Sequence, residues 1–306
     1  MDNLEECFDV IIIGGGPGGL AAAMWCADLG LNAILLEKES KYGGQLNLIN
    51  GPITNYPGVE TANGCELRNI FIQQADKTPT IKYLFSEVVN IDDTTVTTAD
   101  GRRIVGRTII ISTGVRRRKL NIPGETEFAG RGILESGVAA REKVAGKQIV
   151  IVGGGDAALE NALILGETAD KVIVIHRRNS FSARREFLEK ASKNTRIEFV
   201  TNAIVTSING SEAVESIEYQ NLNANDKTSI NADAVLIRIG VTPNSEPFRS
   251  TVELDQHGYI ITDKSCLTST PNIFATGDIA NPNAPTISGA TGEAATAIKA
   301  ASSCGF

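Results

Sequence analysis

Two segments of the chain repeat one pattern: a buried strand, a glycine-rich turn, an Ala/Leu-rich helix and a second apolar strand. The segments are FDVIIIGGGPGGLAAAMWCADLGLNAILLEKE, from Phe8, and KQIVIVGGGDAALENALILGETADKVIVIHRR, from Lys147. Glu37 lies 23 positions after Gly14, and His176 lies 23 positions after Gly153. A glycine turn between strand and helix, with a ribose-reading position at this distance, is typical of a dinucleotide-binding βαβ unit. The repeat predicts two such units rather than two tight turns in an ordinary α/β sheet.

The first glycine turn favours a nucleotide whose adenosine ribose carries no phosphate. Gly14 allows the sharp turn, Gly16 lets backbone amides approach a diphosphate, and Gly19 permits close helix packing. The helix N-terminus offers free N–H groups and a partial positive charge. Glu37 can accept hydrogen bonds from the ribose hydroxyls but repels a 2′-phosphate. FAD and NAD both satisfy these conditions.

The second unit differs at the ribose-reading position. Its second strand ends in HRRNSFSARR, which places His176, Arg177 and Arg178 there, with Arg184 and Arg185 shortly after. Guanidinium groups recognise phosphate by charge and bidentate geometry. The pattern predicts a preference for NADPH over NADH; the alternative is that these arginines only form a solvated strand end.

The C-terminal part of the chain predicts a return into the first domain. NIFATGD reads as a strand, followed by a loop and an Ala-rich helix. The second nucleotide unit is then an insertion, with crossings near STGVRRRKL and RIGVTPN. Between Tyr83 and Ile111 we expect a small β-meander, with a hairpin turn at the Asp-Gly of TADGRR.

Composition excludes several classes of function. Apolar residues make up 42% of the chain and charged residues 21%, as in an ordinary globular protein. The net charge of −7 argues against nucleic-acid partners and anionic membrane surfaces. RRRK at 116–119 is interpreted as a solvated edge, with a docking patch for an acidic partner as the alternative. Five widely spaced cysteines suit a reducing cytoplasm and predict neither structural disulfides nor a metal site.

The ordered motifs GGGPGG, GGQL, NYPG, IPGE, GGGDAALE, HRR and FATGD resemble those of the low-molecular-weight thioredoxin reductase family. The resemblance covers residues 7 to about 302. It implies an α/β fold with two Rossmann-like three-layer domains, the NADPH-binding domain (116–244) being inserted into the FAD-binding domain (1–115 and 245–306). It also implies a homodimer and a nucleotide domain that swivels.

The resemblance assigns site residues position by position. For FAD they are Gly14, Gly16, Gly19, Glu37, Gly44, Gln45, Asn55, Asp278, Thr286 and Ile287, the last two starting a helix aimed at the flavin. For NADPH they are Gly153, Gly155, Ala158, Glu160, His176, Arg177, Arg178 and Arg184.

Three departures from the family pattern stand out. Ser182 replaces an arginine of the family's HRRDxFRA pattern, and Arg184 is expected to substitute for it. Ala284 and Pro285 occupy positions that often hold a Gln-Ala pair facing the flavin. Most importantly, the family's C-x-x-C-D falls on residues 136–140, so Ser136, Ala139 and Ala140 replace Cys, Cys and Asp.

Without thiols at these positions a dithiol relay is excluded there, because such a relay needs a nucleophilic thiolate and a resolving partner. The expectation is that hydride passes from NADPH to the flavin and that electrons leave the flavin directly. Ferredoxin (flavodoxin)–NADP reductases of thioredoxin-reductase type, which lack C-x-x-C, make a ferredoxin, a flavodoxin or a small molecule the expected acceptor. That branch usually stacks a C-terminal aromatic residue on its flavin, for which this chain offers only Phe306.

Two alternatives stay open. The small residues at 136 and 139 would suit a flavin-dependent oxidase or tailoring oxidoreductase acting on a small molecule. A non-catalytic NADPH-sensing flavoprotein would retain the nucleotide turns without turnover. Cys304 is interpreted as an inert exposed thiol, Cys26 as buried packing, and His257 as a turn residue rather than a catalytic one.

Overall fold

The computed structural model describes residues 7–77 and 79–303. The chain divides into two compact units. Unit 1 contains the described residues up to Arg116 and those from Thr242 onward, and unit 2 runs from Arg117 to Val241. These boundaries lie one and three residues from the crossings expected at 115/116 and 244/245. Cys304 and Phe306 lie outside the described residues.

The regular elements are listed here in chain order. The strands are β1 (Cys7–Ile13), β2 (Ala33–Glu37), β3 (Ile81–Phe85), β4 (Val88–Asp92), β5 (Thr95–Thr98), β6 (Arg103–Ile111), β7 (Val115–Arg117), β8 (Ile133–Leu134), β9 (Gln148–Gly153), β10 (Lys171–Ile175), β11 (Ile197–Val200), β12 (Ala203–Gly210), β13 (Val214–Asn221), β14 (Lys227–Asn231), β15 (Ala234–Arg238), β16 (Val241–Pro243) and β17 (Ile273–Ala275). The α-helices are α1 (Pro17–Asp28), α2 (Gly64–Ala75), α3 (Gly137–Ala140), α4 (Asp156–Leu165), α5 (Arg185–Lys193) and α6 (Ile287–Ser303).

Unit 1 is built on a seven-stranded sheet in the order β3-β2-β1-β6-β5-β4, with β17 also paired to β6. The pairings among β3, β2, β1, β6 and β17 are parallel. β4, β5 and β6 pair antiparallel and form the expected meander, with Gly101 at φ +84° in its turn. Because β17 pairs with β6, the C-terminal segment does return into the first sheet.

Unit 2 is built on a five-stranded, all-parallel sheet in the order β11-β10-β9-β15-β8. A separate antiparallel sheet, β12-β13-β14, belongs to the same unit. The central strands are continuous apolar runs because both of their faces are covered, as is usual in parallel sheets. The predicted α/β fold class is confirmed.

Each unit has its own apolar core. In unit 1 the buried faces of β1 and β2 pack against α1 and α6, whose many alanines allow close approach. In unit 2, β9 and β10 pack against α4 on one face and against residues of β12 and β13 on the other. Cys26 is fully buried in the first core, as expected. No helix within residues 7–77 and 79–303 is long and apolar enough to span a bilayer.

Candidate functional site: two dinucleotide cradles

The turn between β1 and α1 has open space where a diphosphate would approach. A Cβ on Gly16, whose φ is −75°, would meet no atom within 4 Å. A Cβ on Gly19 would lie 1.8 Å from the carbonyl oxygen of Gly14, so that glycine is required by packing alone. Gly16 is the N-cap of α1 and has no side chain to satisfy the free helix amides. The turn therefore fits an anion held by backbone N–H groups.

Glu37 ends β2 beside this turn and is 7% exposed. Its Oε2 accepts a hydrogen bond from the Gly15 N–H at 2.7 Å, and its Oε1 accepts one from the Glu39 N–H at 2.9 Å. Each carboxylate oxygen has a second lone pair, so Glu37 can also accept from ribose hydroxyls. Its negative charge disfavours a phosphorylated ribose, in keeping with FAD.

An aromatic pair that the sequence did not predict flanks Glu37. Tyr42 lies against the turn, since a Cβ on Gly15 would be 2.5 Å from its Cδ1. The Tyr42 ring stacks on Phe85 with a centroid distance of 4.6 Å, and Phe85 is the register partner of Glu37. Burial, and then the nearby Glu37 carboxylate, raise the pKa of Tyr42 to about 12. The sequence features that could have indicated this pair are an aromatic residue, Tyr42, directly before the glycines of GGQL, and another, Phe85, at the end of β3.

Two predicted FAD residues that are far apart in sequence are in direct contact. Gln45 Nε2 donates to Asp278 Oδ2 at 3.1 Å. Burial raises the pKa of Asp278, and the hydrogen bond from Gln45 opposes that effect. Both side chains present polar atoms on unit 1, Gln45 being exposed and Asp278 half-buried.

Glu293 holds the Asp278 turn and was also missed. Its Oε2 accepts from the Gly277 N–H at 2.6 Å, and its Oε1 accepts from Asn281 Nδ2 at 2.5 Å. Glu293 lies on α6, so it connects that helix to the short 3-10 helix containing Asp278. A glutamate inside GATGEAATAI gives no pattern by which sequence alone could assign this role.

The other predicted FAD residues are placed as follows. Thr286 caps α6, because its Oγ1 accepts from the Gly289 N–H at 3.0 Å and the helix begins at Ile287. Gly44 lies against Gly16, with 3.1 Å between its built Cβ and the Gly16 Cα. Asn55 is exposed in an open depression of about 430 Å³ lined by residues 54–60, and it makes no hydrogen bond with the described residues.

The turn between β9 and α4 in unit 2 has the same arrangement as the turn between β1 and α1. Gly153 has φ +153°, and a Cβ on it would lie 2.1 Å from the Arg238 carbonyl oxygen. Gly155 is the N-cap of α4, and its built Cβ meets only Ser182 Oγ, at 3.7 Å. Ala158 is fully buried under the turn, whereas Glu160 is exposed. Gly155 therefore has the same kind of open space as Gly16.

The ribose-reading end of unit 2 is cationic. His176 lies against Gly154, its ring stacks on Phe181 at 5.1 Å, and burial lowers its pKa. Arg177 and Arg178 are exposed, and neither forms an ion pair with any residue in the described ranges. Two unpaired guanidinium groups at the end of β10 fit a 2′-phosphate.

Arg184 has a partner of its own. Its backbone N–H donates to Asp156 Oδ1 at 2.6 Å and its Nε donates to Asp156 Oδ2 at 2.8 Å. Asp156 is the first residue of α4, where its charge would oppose a diphosphate. Ser182, predicted to stand where the family has an arginine, donates through Oγ to the Gly154 carbonyl at 3.3 Å. Arg184 thus neutralises Asp156, which weakens the expectation that it reads the 2′-phosphate.

The segment predicted to replace C-x-x-C-D, residues 136–140, contains the short helix α3. Ser136 is its N-cap and accepts from the Ala139 N–H at 3.4 Å. The Gly137 N–H donates to Asn161 Oδ1 on α4 at 3.0 Å. Val138 and Ala139 are exposed, and Ala140 is buried. The segment therefore satisfies its own helix terminus and exposes only small or apolar side chains.

Three of the four basic residues at 116–119 have polar partners elsewhere in the chain. Arg116 forms an ion pair with Glu246, Arg117 pairs with Glu135 at 3.2 Å, and Arg118 donates to the Val241 carbonyl at 2.8 Å. This pairing favours a polar edge over a docking patch. Among residues 7–77 and 79–303, no group of His, Cys, Asp and Glu side chains could hold a metal ion.

Comparison with known proteins decides the family. The pyridine nucleotide-disulphide oxidoreductase family matches residues 8–301. The chain belongs to this family. A thioredoxin reductase of Peptoclostridium acidaminophilum is 34% identical over 286 residues, covering 90% of each chain. The crystal structure of Lactococcus lactis thioredoxin reductase in the FR conformation matches with a TM-score of 0.83 at 32% identity, covering 97% of this chain and 98% of that one.

A second solved structure, thioredoxin reductase of T. acidophilum, matches with a TM-score of 0.81 at 28% identity, covering 98% of this chain and 99% of that chain. The resemblance to low-molecular-weight thioredoxin reductases is thereby confirmed. The chain is an oxidoreductase of this family, and its cofactors are FAD and NADPH. Both glycine turns fit these cofactors, since each has an N-cap glycine with open space beside it. The two ribose-reading positions have opposite charge, Glu37 being negative and Arg177 and Arg178 positive.

Proposed function

We propose that the chain takes hydride from NADPH onto FAD and passes electrons from the flavin directly to an external acceptor, without a dithiol. The acceptor is a ferredoxin- or flavodoxin-like carrier or a small molecule. The observation that carries the proposal is the segment 136–140, which has no sulfur and whose helix terminus is satisfied by Ser136 and Asn161.

The four described cysteines support this proposal. Burial raises the pKa of Cys26 and also that of Cys266, to about 11, so neither is a ready thiolate. Cys7 is exposed and Cys65 is half-buried, and they lie on β1 and α2. No two cysteines of the chain are separated by two residues. A thiolate with a resolving partner is therefore not available at the family's position.

The assignment of residues to cofactors belongs to the same proposal. Unit 1 binds FAD, with backbone amides at the Gly14–Gly19 turn on the diphosphate, Glu37 on the ribose, and Gln45, Asn55 and Asp278 farther along the cofactor. Unit 2 binds NADPH, with the Gly153–Gly155 turn on the diphosphate and Arg177 and Arg178 on the 2′-phosphate. Bound FAD supplies an acceptor for the hydride of NADPH and a donor for the next acceptor.

The residues of the chain contribute binding and charge. Backbone N–H groups at the two turns hold the diphosphates without bulk, because Gly16 and Gly155 leave room. The N-terminus of α6, capped by Thr286, offers a partial positive charge where the chain returns to unit 1.

An anaerobic titration of the purified yellow protein with NADPH tests the proposal. We expect stoichiometric flavin bleaching, followed by rapid reoxidation with ferredoxin or flavodoxin, or with one acceptor from a panel of ferric chelates and quinones. Thioredoxin with a disulfide substrate should give no turnover above the rate without thioredoxin. Robust thioredoxin turnover would overturn the proposal, and absence of bleaching would favour an NADPH-sensing protein.

An oxidase or tailoring oxidoreductase acting on a small molecule is the second candidate. The exposure of Val138 and Ala139 favours it, since the turn offers apolar surface in place of thiols. Fast reoxidation by air, matching the fastest carrier, would support this candidate. Slow reoxidation in air with instant reoxidation by a carrier would eliminate it.

Assembly and location complete the proposal. We expect a homodimer, which sedimentation velocity of the FAD-loaded protein would test. The wide cysteine spacing suits a reducing cytoplasm, which fractionation of the native cells would test.

A further inference from the structure

Arg238 ends β15 beside the diphosphate turn of unit 2. β15 runs parallel to β9 in a register that pairs Arg238 with Gly153. The carbonyl of Arg238 lies against Gly153, which leaves no room there for a side chain. Arg238 therefore stands at the carboxyl edge of the sheet, where parallel α/β sheets bind their ligands.

The strand order indicates which half of a dinucleotide would lie over which strands at this edge. The sheet runs β11-β10-β9-β15-β8. The phosphate-reading arginines follow β10 and the diphosphate turn follows β9, so the adenosine half lies toward β10. The nicotinamide half then extends the other way, over the ends of β15 and β8, which carry Arg238 and Glu135.

The guanidinium of Arg238 has no carboxylate partner among the described residues. Its Nη1 donates to the Ile237 carbonyl at 2.8 Å and its Nη2 donates to the Glu135 carbonyl at 2.9 Å. The Glu135 carboxylate pairs instead with Arg117 at 3.2 Å. Arg117, Glu135 and Arg238 together therefore carry one net positive charge, and the unpaired guanidinium is that of the half-buried Arg238. Burial, and then the neighbouring Arg117, lower the pKa of Arg238 to about 10, so it stays charged at neutral pH.

We propose that Arg238 makes unit 2 bind NADPH more tightly than NADP⁺, by placing an unpaired positive charge at the nicotinamide end of the site. The oxidised nicotinamide ring is a cation and the reduced ring is neutral, so the charge repels only the product. The inference rests on the proposed placement of NADPH in unit 2. At an effective dielectric constant of about 20, repulsion between two unit positive charges about 10 Å apart raises the dissociation constant of the charged ligand by roughly tenfold.

The test compares two ligands that cannot reduce the flavin and that differ in ring charge. They are NADP⁺ and 1,4,5,6-tetrahydro-NADP, whose ring is neutral, titrated by calorimetry into the FAD-loaded full chain. The wild type should bind the neutral-ring ligand about tenfold more tightly. In R238Q the ratio should approach one, mainly because NADP⁺ binds more tightly.

Arg196→Gln is the matched control. Arg196 also donates to carbonyl oxygens, those of Gly166 and Glu167, but it precedes β11 at the amino edge of the same sheet. Its substitution should leave the ratio unchanged. A second variant guards against misfolding of R238Q: in E135Q, a change at an exposed side chain, loss of the negative charge should increase the ratio.

The outcomes separate this inference from the proposed site. The inference is wrong if neither R238Q nor E135Q changes the ratio of the two dissociation constants, or if R238Q weakens the binding of both ligands equally. Either result leaves the proposed NADPH site intact. If the wild type binds neither ligand, or if G155A leaves the binding of both unchanged, the proposed NADPH site itself is wrong.

Discussion

At the scale of single residues, the two N-cap glycines are the positions where chain geometry and cofactor geometry can be separated. Gly16 and Gly155 have negative φ angles and open space at the Cβ position, so the fold does not require glycine at either. Gly19 is different, since its Cβ would collide with the Gly14 carbonyl. A glycine that the fold does not need is explained by a ligand that approaches the backbone.

Gly16→Ala and Gly19→Ala should therefore behave differently. G16A should fold as an apoprotein with an unchanged melting temperature but bind FAD at least about tenfold more weakly, because its methyl group enters the diphosphate space. G19A should lower the stability of the apoprotein itself. Thermal unfolding without FAD and FAD titration of the apoprotein measure the two effects. Equal FAD binding by G16A and the wild type would place the diphosphate elsewhere.

The arginines of unit 2 should divide into two roles. Arg178→Gln removes a charge-assisted contact of about 1.5–3 kcal/mol, so NADPH affinity should fall roughly 10- to 100-fold, with NADH unaffected. Arg184→Gln leaves Asp156 unpaired beside the diphosphate and should weaken NADPH and NADH alike. Arg185, whose side chain is 91% exposed and pairs with Glu189, provides a silent control as R185Q. Loss of NADPH selectivity in R184Q would restore the role first expected for Arg184.

At the scale of elements, hydrogen bonds of one side chain, Asn161, connect α3 to α4. A Cβ on Gly137 would lie 2.2 Å from Asn161 Oδ1, so a side chain there would displace the Asn161 amide. Asn161 in turn donates through Nδ2 to the Ala157 carbonyl at 2.6 Å. The Asn161 side chain thus connects the first turn of α3 to α4. Asn161 belongs to none of the motifs that carry the family resemblance.

Asn161→Ala should destabilise the protein without changing nucleotide binding. The Gly137 N–H loses its acceptor, which costs about 1–3 kcal/mol for a buried donor. Urea unfolding of the NADP⁺-free protein measures the loss, and NADP⁺ calorimetry checks that affinity is retained. A matched substitution on the exposed face of the same helix, Glu160→Gln, should preserve stability. A stable N161A protein would show that α3 is not held by this contact.

At the scale of the whole molecule, unit 2 is a continuous insertion with its own sheet and core. Its buried residues form two clusters, one on each face of the β11-β10-β9-β15-β8 sheet, and both clusters lie within residues 117–241. Unit 1 needs two separate pieces of chain, because β17 and α6 complete its sheet and core.

A fragment spanning residues 117–241 should therefore fold alone and bind NADP⁺ with an affinity within roughly threefold of the full chain, because all the residues predicted to bind NADPH lie within it. Circular dichroism and calorimetry check both points. The N-terminal piece 1–116 alone should not fold, since it lacks β17 and α6. An unfolded 117–241 fragment would show that its core depends on unit 1.

The sequence by itself determined the two βαβ units, the family with its cofactors FAD and NADPH, and the absence of cysteine from residues 136–140. These features rest on local chemistry: strand periodicity, glycines at fixed spacing, and residue types such as Glu37 and Arg178 at the two predicted ribose-reading positions. Tertiary structure alone decided that Gln45 meets Asp278, that Glu293 holds its turn, that Arg184 neutralises Asp156, and that Arg238 stands unpaired beside Gly153. Each of those contacts joins residues of different elements that meet only when the chain folds, and no spacing along the chain predicts which side chains will meet.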